Sequence, residues 1–405
     1  MEKIIGITAE YNPFHQGHLY QLGELRRIYP DAGIIAVLST DFLQRGIPSL
    51  MDKWQRARAA VLCGVDLVLE LPAPFCCNNA GVFASAAVAI FRATNIVNAI
   101  SFGMEEKTEL VRIVSDILVQ EPPAFKAYLK IFLKKGYSYA ESRAQAADRL
   151  CPGAAELLAR PNNTLAVAYV EAMLSQGAKF ELLPILRSGP GYHDTTEGPI
   201  MSASGIRQSL MAGREEQALN AMPTPSARVL ADAIRDGRTC VDTAKLWECL
   251  RLLLARSTPE GLAAIAGMDE GIEHRYLRKY RSCCSYEQLV QAVATRRHPR
   301  TRVQRQLAAL LLNFTREADH EFQRNGPAYI RPLAMNCRGR QMLGAMRKNS
   351  ALPVITKPAA LKGNDYAQKI ITLELRSTFL WETLLRCPDW HRELCAVPQM
   401  TEAEA

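Results

Sequence analysis

Apolar residues fall first in short unbroken runs and later at helical spacing. Residues 4–7, 33–38, 66–71 and 98–103 read as strands, and Gly33-Ile34-Ile35-Ala36-Val37-Leu38 is apolar throughout, as burial on both faces requires. Residues 51–63 and 82–92 carry helical periodicity between them. This alternation predicts an α/β chain built on a Rossmann-like, doubly wound parallel sheet. From about 106 to 176 the pattern turns helical, broken at Arg160-Pro161-Asn162-Asn163. A strand over 180–186 then leads into Gly189-Pro190-Gly191-Tyr192-His193-Asp194, a loop by composition, and 201–207 opens a short helix. Beyond about residue 225 the strand rhythm stops and long helices dominate, while 399–405 reads as a frayed acidic tail. The expected organisation is one domain over 1–225, with a helical insertion near 106–176, and a mainly α-helical region over 226–405.

Bulk numbers narrow this only slightly. At 405 residues, two or three domains are expected. With 48% hydrophobic and 22% charged residues the chain reads as soluble and globular. No apolar run approaches the roughly 20 residues of a membrane span. The chain starts on a strand, without the layout of a secretion signal, so a cytoplasmic location is expected. Eleven cysteines, including Cys76-Cys77 and Cys283-Cys284 but no Cys-x-x-Cys, fit neither a disulfide framework nor a zinc knuckle. A net charge of +8 points only weakly to a polyanionic partner.

Candidate chemistry gathers where such a sheet binds ligands, outside the carboxyl ends of its strands. Gly6-Ile7-Thr8-Ala9-Glu10-Tyr11-Asn12-Pro13-Phe14-His15-Gln16-Gly17-His18 runs from the first strand through a tight Asn-Pro turn into a helix start. Spacing of three puts two helical side chains on one face, and a helix N-terminus with imidazoles beside it is a seat for phosphate. His-x-Gly-His behind a first strand resembles the phosphate-binding motif of nucleotidylyl transferases. Met201-Ser202-Ala203-Ser204-Gly205-Ile206-Arg207 adds two hydroxyls and a guanidinium at another helix start. Alone it is equally a good N-cap; paired with His-x-Gly-His it matches the second phosphate motif of those enzymes. Ser101-Phe102-Gly103 ends a strand at the same edge. Asn162 and Asn163 read either as a helix cap or as amides contacting adenine or ribose. Arg187 is a phosphate clamp or a solvated charge. Arg45 and Lys53, in Gln44-Arg45-Gly46 and Asp52-Lys53-Trp54, read either as contacts for phosphate or a substrate carboxylate or as a charged loop and a capped helix start. His193 and Asp194 are guesses for a general base.

Together these segments resemble the tRNA-Met cytidine acetate ligase family over nearly the whole length. The resemblance rests on Ala9-Glu10-Tyr11-Asn12-Pro13-Phe14-His15-Gln16-Gly17-His18, Gln44-Arg45-Gly46, Asp52-Lys53-Trp54, Ser101-Phe102-Gly103, Pro161-Asn162-Asn163, Gly191-Tyr192-His193-Asp194 and Ser202 to Arg207. It implies a cytoplasmic enzyme that joins acetate and ATP, with Mg²⁺, into acetyl-adenylate and passes the acetyl group to N4 of the wobble cytidine of elongator tRNA-Met. Carried over, it implies catalytic roles for His15, His18, Ser202 and Arg207. It also implies nucleotide contacts from Thr8, Ala9, Glu10, Tyr11, Asn12, Pro13, Phe14, His15, Gln16, Gly17, His18, Leu19, Tyr20, Gly103, Asn162, Asn163 and Arg187. No residue is assigned to a resident metal, and neither a protein partner nor a membrane is implied. One departure stands out: where the family usually has Ser-Gly-Asn-Phe, this chain reads Ser39-Thr40-Asp41-Phe42. Asp41 is expected to place a negative charge near the site and retune the carboxylate pocket.

Residues 273–305 are rich in cations. Arg275, Arg278, Lys279, Arg296, Arg297, Arg300 and Arg302 are the expected tRNA contacts, with Arg281 and Arg305 nearby. His274, Tyr276, Tyr280, Tyr286 and His298 are interleaved for stacking on unpaired bases. Arg331, Arg338, Arg340, Arg347 and Lys348 are expected to extend that surface. Two other readings stay open from the residues: a nucleotidylyl transferase acting on another small carboxylate or a phosphate ester, and an ATP-sensing RNA-binding protein without turnover.

Overall fold

The computed structural model describes residues 3–105, 109–186, 201–361 and 363–401. Seven strands form one sheet: β1 (Ile4–Ala9), β2 (Gly33–Ser39), β3 (Leu67–Leu71), β4 (Ala99–Met104), β5 (Glu181–Leu186), β6 (Pro332–Met335) and β7 (Gln399–Met400), in the order β5-β4-β1-β2-β3-β6-β7. The first five run parallel, and β6 joins β3 antiparallel. The alternation of side chains along β2 fills both faces. Ile34, Ala36 and Leu38 pack with Leu22 and Leu25 of helix α1 (Gln16–Ile28) and with Trp54, Ala57 and Ala60 of α2 (Lys53–Leu62). Ile35 and Val37 belong to the opposite core, with the helices Ala80–Thr94 and Pro161–Gln176. Gly6 is required there: a Cβ would stand 2.8 Å from the Phe91 ring.

Two expectations are corrected. The last residues are no frayed tail as far as they are described, because Gln399 and Met400 pair with Ala334 and Met335. Nor does the sheet end with the first 225 residues, since β6 and β7 come from the second half. These strands are two to four residues long, too short for periodicity to reveal. One apolar core also runs unbroken from Ile35 and Leu69 to Leu307 and Ile370.

Candidate active site

β1 has β2 on one side and β4 on the other. The chain therefore leaves β1 in one direction and returns on the opposite flank, and the carboxyl ends of β1 and β4 part at a switch point. A cleft of about 780 Å³ opens there with three walls. The first is the end of β1, the start of α1 and Ser202–Arg207; the second is Phe102, Gly103, Ile185, Leu186 and the start of the Pro161–Gln176 helix. The third is made by Leu43, Gln44, Arg45, Ile47, Ala80, Phe83, Thr301 and Arg305.

α1 begins on the histidine pair. His15 is its N-cap, with Nδ1 accepting from the Gly17 N–H at 3.0 Å, while the His15 N–H donates to Nδ1 of His18 at 3.2 Å. This is a capping box made of two imidazoles. Because both Nδ1 atoms accept, each neutral ring carries its hydrogen on Nε2, a donor suited to a phosphate oxygen. The rings stack with centroids 3.8 Å apart, and Tyr11 meets His18 edge-on at 4.8 Å, behind the pair.

The second motif docks directly on the first. Ser202 caps the Ala203–Met211 helix, its Oγ accepting from the Gly205 N–H. Arg207 of that helix donates to the Asn12 carbonyl at 2.6 Å and reaches Ser204 Oγ at 3.3 Å. Burial pulls its pKa down and the Glu10 carboxylate opposes that fall. Asn12 holds the loop through Oδ1, which accepts from the Leu50 N–H, whereas its buried Nδ2 has no partner in the protein. Arg56, fully buried, ties the base of the cleft by donating to the carbonyls of Glu10, Ser39, Thr40 and Met51 at 2.6–3.0 Å. The site is thus a preorganised set of donors around one end of the cleft.

With that geometry in place, likeness to known proteins becomes informative. The family model for HIGH nucleotidyl transferases matches residues 2–392. The tRNA(Met) cytidine acetate ligase of Syntrophotalea carbinolica is 35% identical over 405 residues, covering 96% of this chain and 95% of the relative. That of Halalkalibacterium halodurans is 36% identical over 385 residues, covering 93% and 91%. The crystal structure of apo Thermotoga maritima TmcAL superposes with a TM-score of 0.92 at 30% identity, over 99% of this chain and all of that one. The same protein bound with alpha-thio ATP gives 0.89 at 30% identity, over 98% and 100%. The chain belongs to the tRNA(Met) cytidine acetate ligase family.

For a member of this family, most of the expected nucleotide residues stand on the cleft. Thr8, Ala9, Glu10, Tyr11, Asn12, His15, Gly17, His18, Tyr20, Gly103 and Asn162 line it together with Ser202 and Arg207. Pro13, Phe14, Gln16, Leu19 and Asn163 do not. Phe14 is buried beneath the histidines, Leu19 points to solvent, and Asn163 turns into the protein, where Oδ1 accepts from the Glu105 N–H. Helical turning explains α1: from His15, positions 18 and 21 return to the cleft while 16 and 19 turn aside. Gln21 lines the cleft and donates to Ser101 Oγ. Arg187, Tyr192, His193 and Asp194 lie outside the described residues.

Sequence reasoning missed Glu105, whose carboxylate accepts from the Asn162 and Asn163 N–H groups and the Asn162 amide. It also missed Arg56 and Thr301, and it set Arg305 on the basic RNA-facing stretch rather than on the cleft, which that residue lines. Only an acidic residue after a glycine-ended strand hinted at Glu105.

Lys53 and Asp41 are corrections. Lys53 touches no cleft: its Nζ lies 2.6–2.9 Å from Glu70, Glu374 and Glu393, all buried. Asp41 is equally buried, accepting from the Lys53 N–H and the Thr378 hydroxyl, and Thr40 donates to Glu374. The Thr40-Asp41 departure therefore faces the core, and the carboxylate pocket does not feel it directly. Burial pushes the Asp41 carboxyl from 3.8 up to about 6. In that window the folded state holds a proton the unfolded chain has released. Stability should therefore fall as pH rises from about 4 to about 6, by up to ~3 kcal/mol. Melting temperatures of wild type and Asp41→Asn at pH 4.5 and 7 test this; equal slopes would dismiss it.

The basic segment is partly spent on internal pairing. Arg296 pairs with Glu141 and lies 3.6 Å over the Tyr137 ring, Arg300 pairs with Glu287, and Arg302 with Asp269. Arg275 donates to the Ala292 carbonyl. Arg278 and Arg297 are exposed and Lys279 is half-buried. Tyr276, Tyr286 and His298 are buried in the helical core and are not available for stacking, contrary to expectation. Arg331 is likewise internal, held by Glu70 and Glu393.

Proposed function

We propose that this chain activates acetate with ATP as acetyl-adenylate and acetylates N4 of the wobble cytidine of elongator tRNA-Met. The observation carrying this reading is the imidazole capping box, which occupies both Nδ1 atoms and sets the two rings on the same cleft as Arg207. An acetate oxygen attacks the α-phosphorus of ATP and pyrophosphate leaves. The cytidine amine then attacks the acetyl carbon, the bond to AMP breaks, and one amine proton passes to solvent. Neither step needs a covalent nucleophile; both need positioning and fixed donors where charge develops. His15, His18, Ser202 and Arg207 supply these donors, and Gly103 and Asn162 border the nucleoside. Arg187 is the remaining nucleotide contact of this proposal.

Mg²⁺ fits such a site as a companion of the phosphates. Among the described residues Glu10 is the only carboxylate on the cleft wall, in keeping with an ion held largely by substrate oxygens. It would neutralise charge on the departing pyrophosphate. The region 226–405 would present the tRNA, with the exposed Arg278 and Arg297 and the neighbouring Arg275, Lys279, Arg296, Arg300 and Arg302 on phosphates. A cytoplasmic enzyme without a protein partner suffices for this chemistry; no described helix is long and apolar enough to cross a membrane.

The test is acetylation of total tRNA by purified protein with ATP, Mg²⁺ and acetate, read as N4-acetylcytidine by nucleoside mass spectrometry. Product that needs both acetate and ATP is expected. Pyrophosphate release without acetylcytidine would move the acceptor elsewhere, and neither product would remove the enzyme reading.

A further inference from the structure

The third wall of the cleft carries none of the residues that the proposed function sets on the nucleotide. In a sheet of this topology the nucleotide lies over the β1–β4 switch point, against the first two walls. The third lies on the β2–β3 side and comes from elements far apart in sequence: the loop after β2, the Ala80–Thr94 helix and the Arg300–Leu312 helix. Thr301 and Arg305, one turn apart, put one face of that last helix on the cleft. The loop seats tightly against it. Gly46 has φ +76°, and a Cβ there would come within 2.4 Å of the Arg305 backbone nitrogen, so the register of loop and helix is fixed.

Arg305 differs from its neighbours. Arg300 and Arg302 pair with carboxylates, whereas Arg305 has no carboxylate partner among the described residues. Burial pulls its pKa down. Its side chain is only partly exposed, and a guanidinium so placed without a counter-charge gains from a ligand that brings acceptors. Around it the wall sets the apolar Leu43, Ile47, Ala80 and ring of Phe83 beside the polar Gln44, Arg45 and Thr301. The wall carries no Asp or Glu. A planar, weakly hydrated guanidinium on a wall that also carries an aromatic ring suits a splayed-out base and its phosphate.

Resting on the function proposed above, we infer that this wall is the acceptor-base chamber and that Arg305 selects cytosine by donating two hydrogen bonds to its O2 and N3. Guanidinium then copies the donors that guanine offers cytosine in a base pair. Uracil carries a hydrogen on N3 and meets a donor with a donor. The usual protein reader of the cytosine amine is a carboxylate accepting from N4; Glu10 already accepts from the Gln44 N–H through Oε1, and the third wall itself offers no carboxylate to N4, which a nucleophile must keep unengaged. A cation at N3 also makes the N4 protons more acidic and eases their loss during transfer. The same helix starts among Arg297 and Arg300, so an anticodon on the basic surface needs only to turn one base inward.

The experiment separates the half-reactions of the full-length protein, comparing wild type with Arg305→Lys and Arg305→Met. Acetate-dependent exchange of pyrophosphate into ATP reads adenylation. Transfer and binding are read on synthetic anticodon stem–loops with cytidine or uridine at the wobble position. Both variants are expected to lose about tenfold to a hundredfold in transfer, the worth of one bidentate base contact, with exchange changed at most a few-fold. Both should also lose the preference for cytidine over uridine in binding, although Arg305→Lys keeps the charge and folds without burying an apolar substitute. Transfer at the wild-type rate, or exchange and transfer falling together, overturns the chamber while leaving the proposed function standing. Wild type that exchanges pyrophosphate but acetylates no stem–loop overturns that function and this inference with it.

Discussion

His18→Ala is expected to lower kcat/KM for acetate-dependent pyrophosphate exchange by on the order of 10²- to 10³-fold, the usual effect of deleting one preorganised donor. Two functions leave together. The Nε2 donor disappears from the phosphate end, and the acceptor of the His15 N–H disappears from the capping box. His15 also loses its stacking partner, so the remaining imidazole is held less firmly. The loss should fall mainly on kcat, because the lost hydrogen bond matters most as negative charge moves onto the leaving pyrophosphate. The cap itself is worth only about 1 kcal/mol, so the variant stays folded. His18→Asn, which keeps a neutral donor on a shorter arm, should recover part of the activity. Exchange within threefold of wild type in His18→Ala would refute a phosphate role for this ring.

Lys53→Met has the largest expected effect on stability, a loss of about 3–5 kcal/mol, as when one partner of a buried ionic cluster is removed. Lys53 is fully buried among Glu70, Glu374 and Glu393, and Arg331 is the other cation touching Glu70 and Glu393. Without the ammonium the carboxylates repel one another in a site shielded from water. Burial already pushes Glu374 up to about 8, and losing Lys53 raises it further. Wild type and variant then differ in proton uptake on Glu374 only above about pH 8, so the deficit should be largest in alkali and shrink as pH falls from about 10 towards about 8. Urea unfolding across that range measures both effects; a deficit below 1 kcal/mol would show that the cluster is not a clamp. Because Glu374 and Glu393 come from the C-terminal region, limited proteolysis of the variant should release that end first.

These two residues illustrate how far the sequence carries. His15 and His18 are legible because their environment is local: the capping box, the stack and the cleft-facing side follow from a spacing of three at a helix start. The five parallel strands are legible for the same reason, each being an apolar run long enough to show its period. Lys53 sits in an equally suggestive local context, at a helix start on the ligand edge, yet its side chain runs into the core. Its partners lie 17, 321 and 340 residues away, and no local pattern reports them. Asp41 misled in the same way.

From the chain alone come the strand–helix alternation, the two phosphate motifs and the family they resemble, since each is written in contiguous residues. Only the tertiary structure decided which charges meet solvent, which meet each other, and which meet the cleft. Burial makes that decision: a charge is tolerated inside where other segments deliver its partners, carboxylates for Lys53 and Arg331 and backbone carbonyls for Arg56. Arg305 reaches the cleft without a carboxylate partner among the described residues, a placement that only the tertiary structure decided.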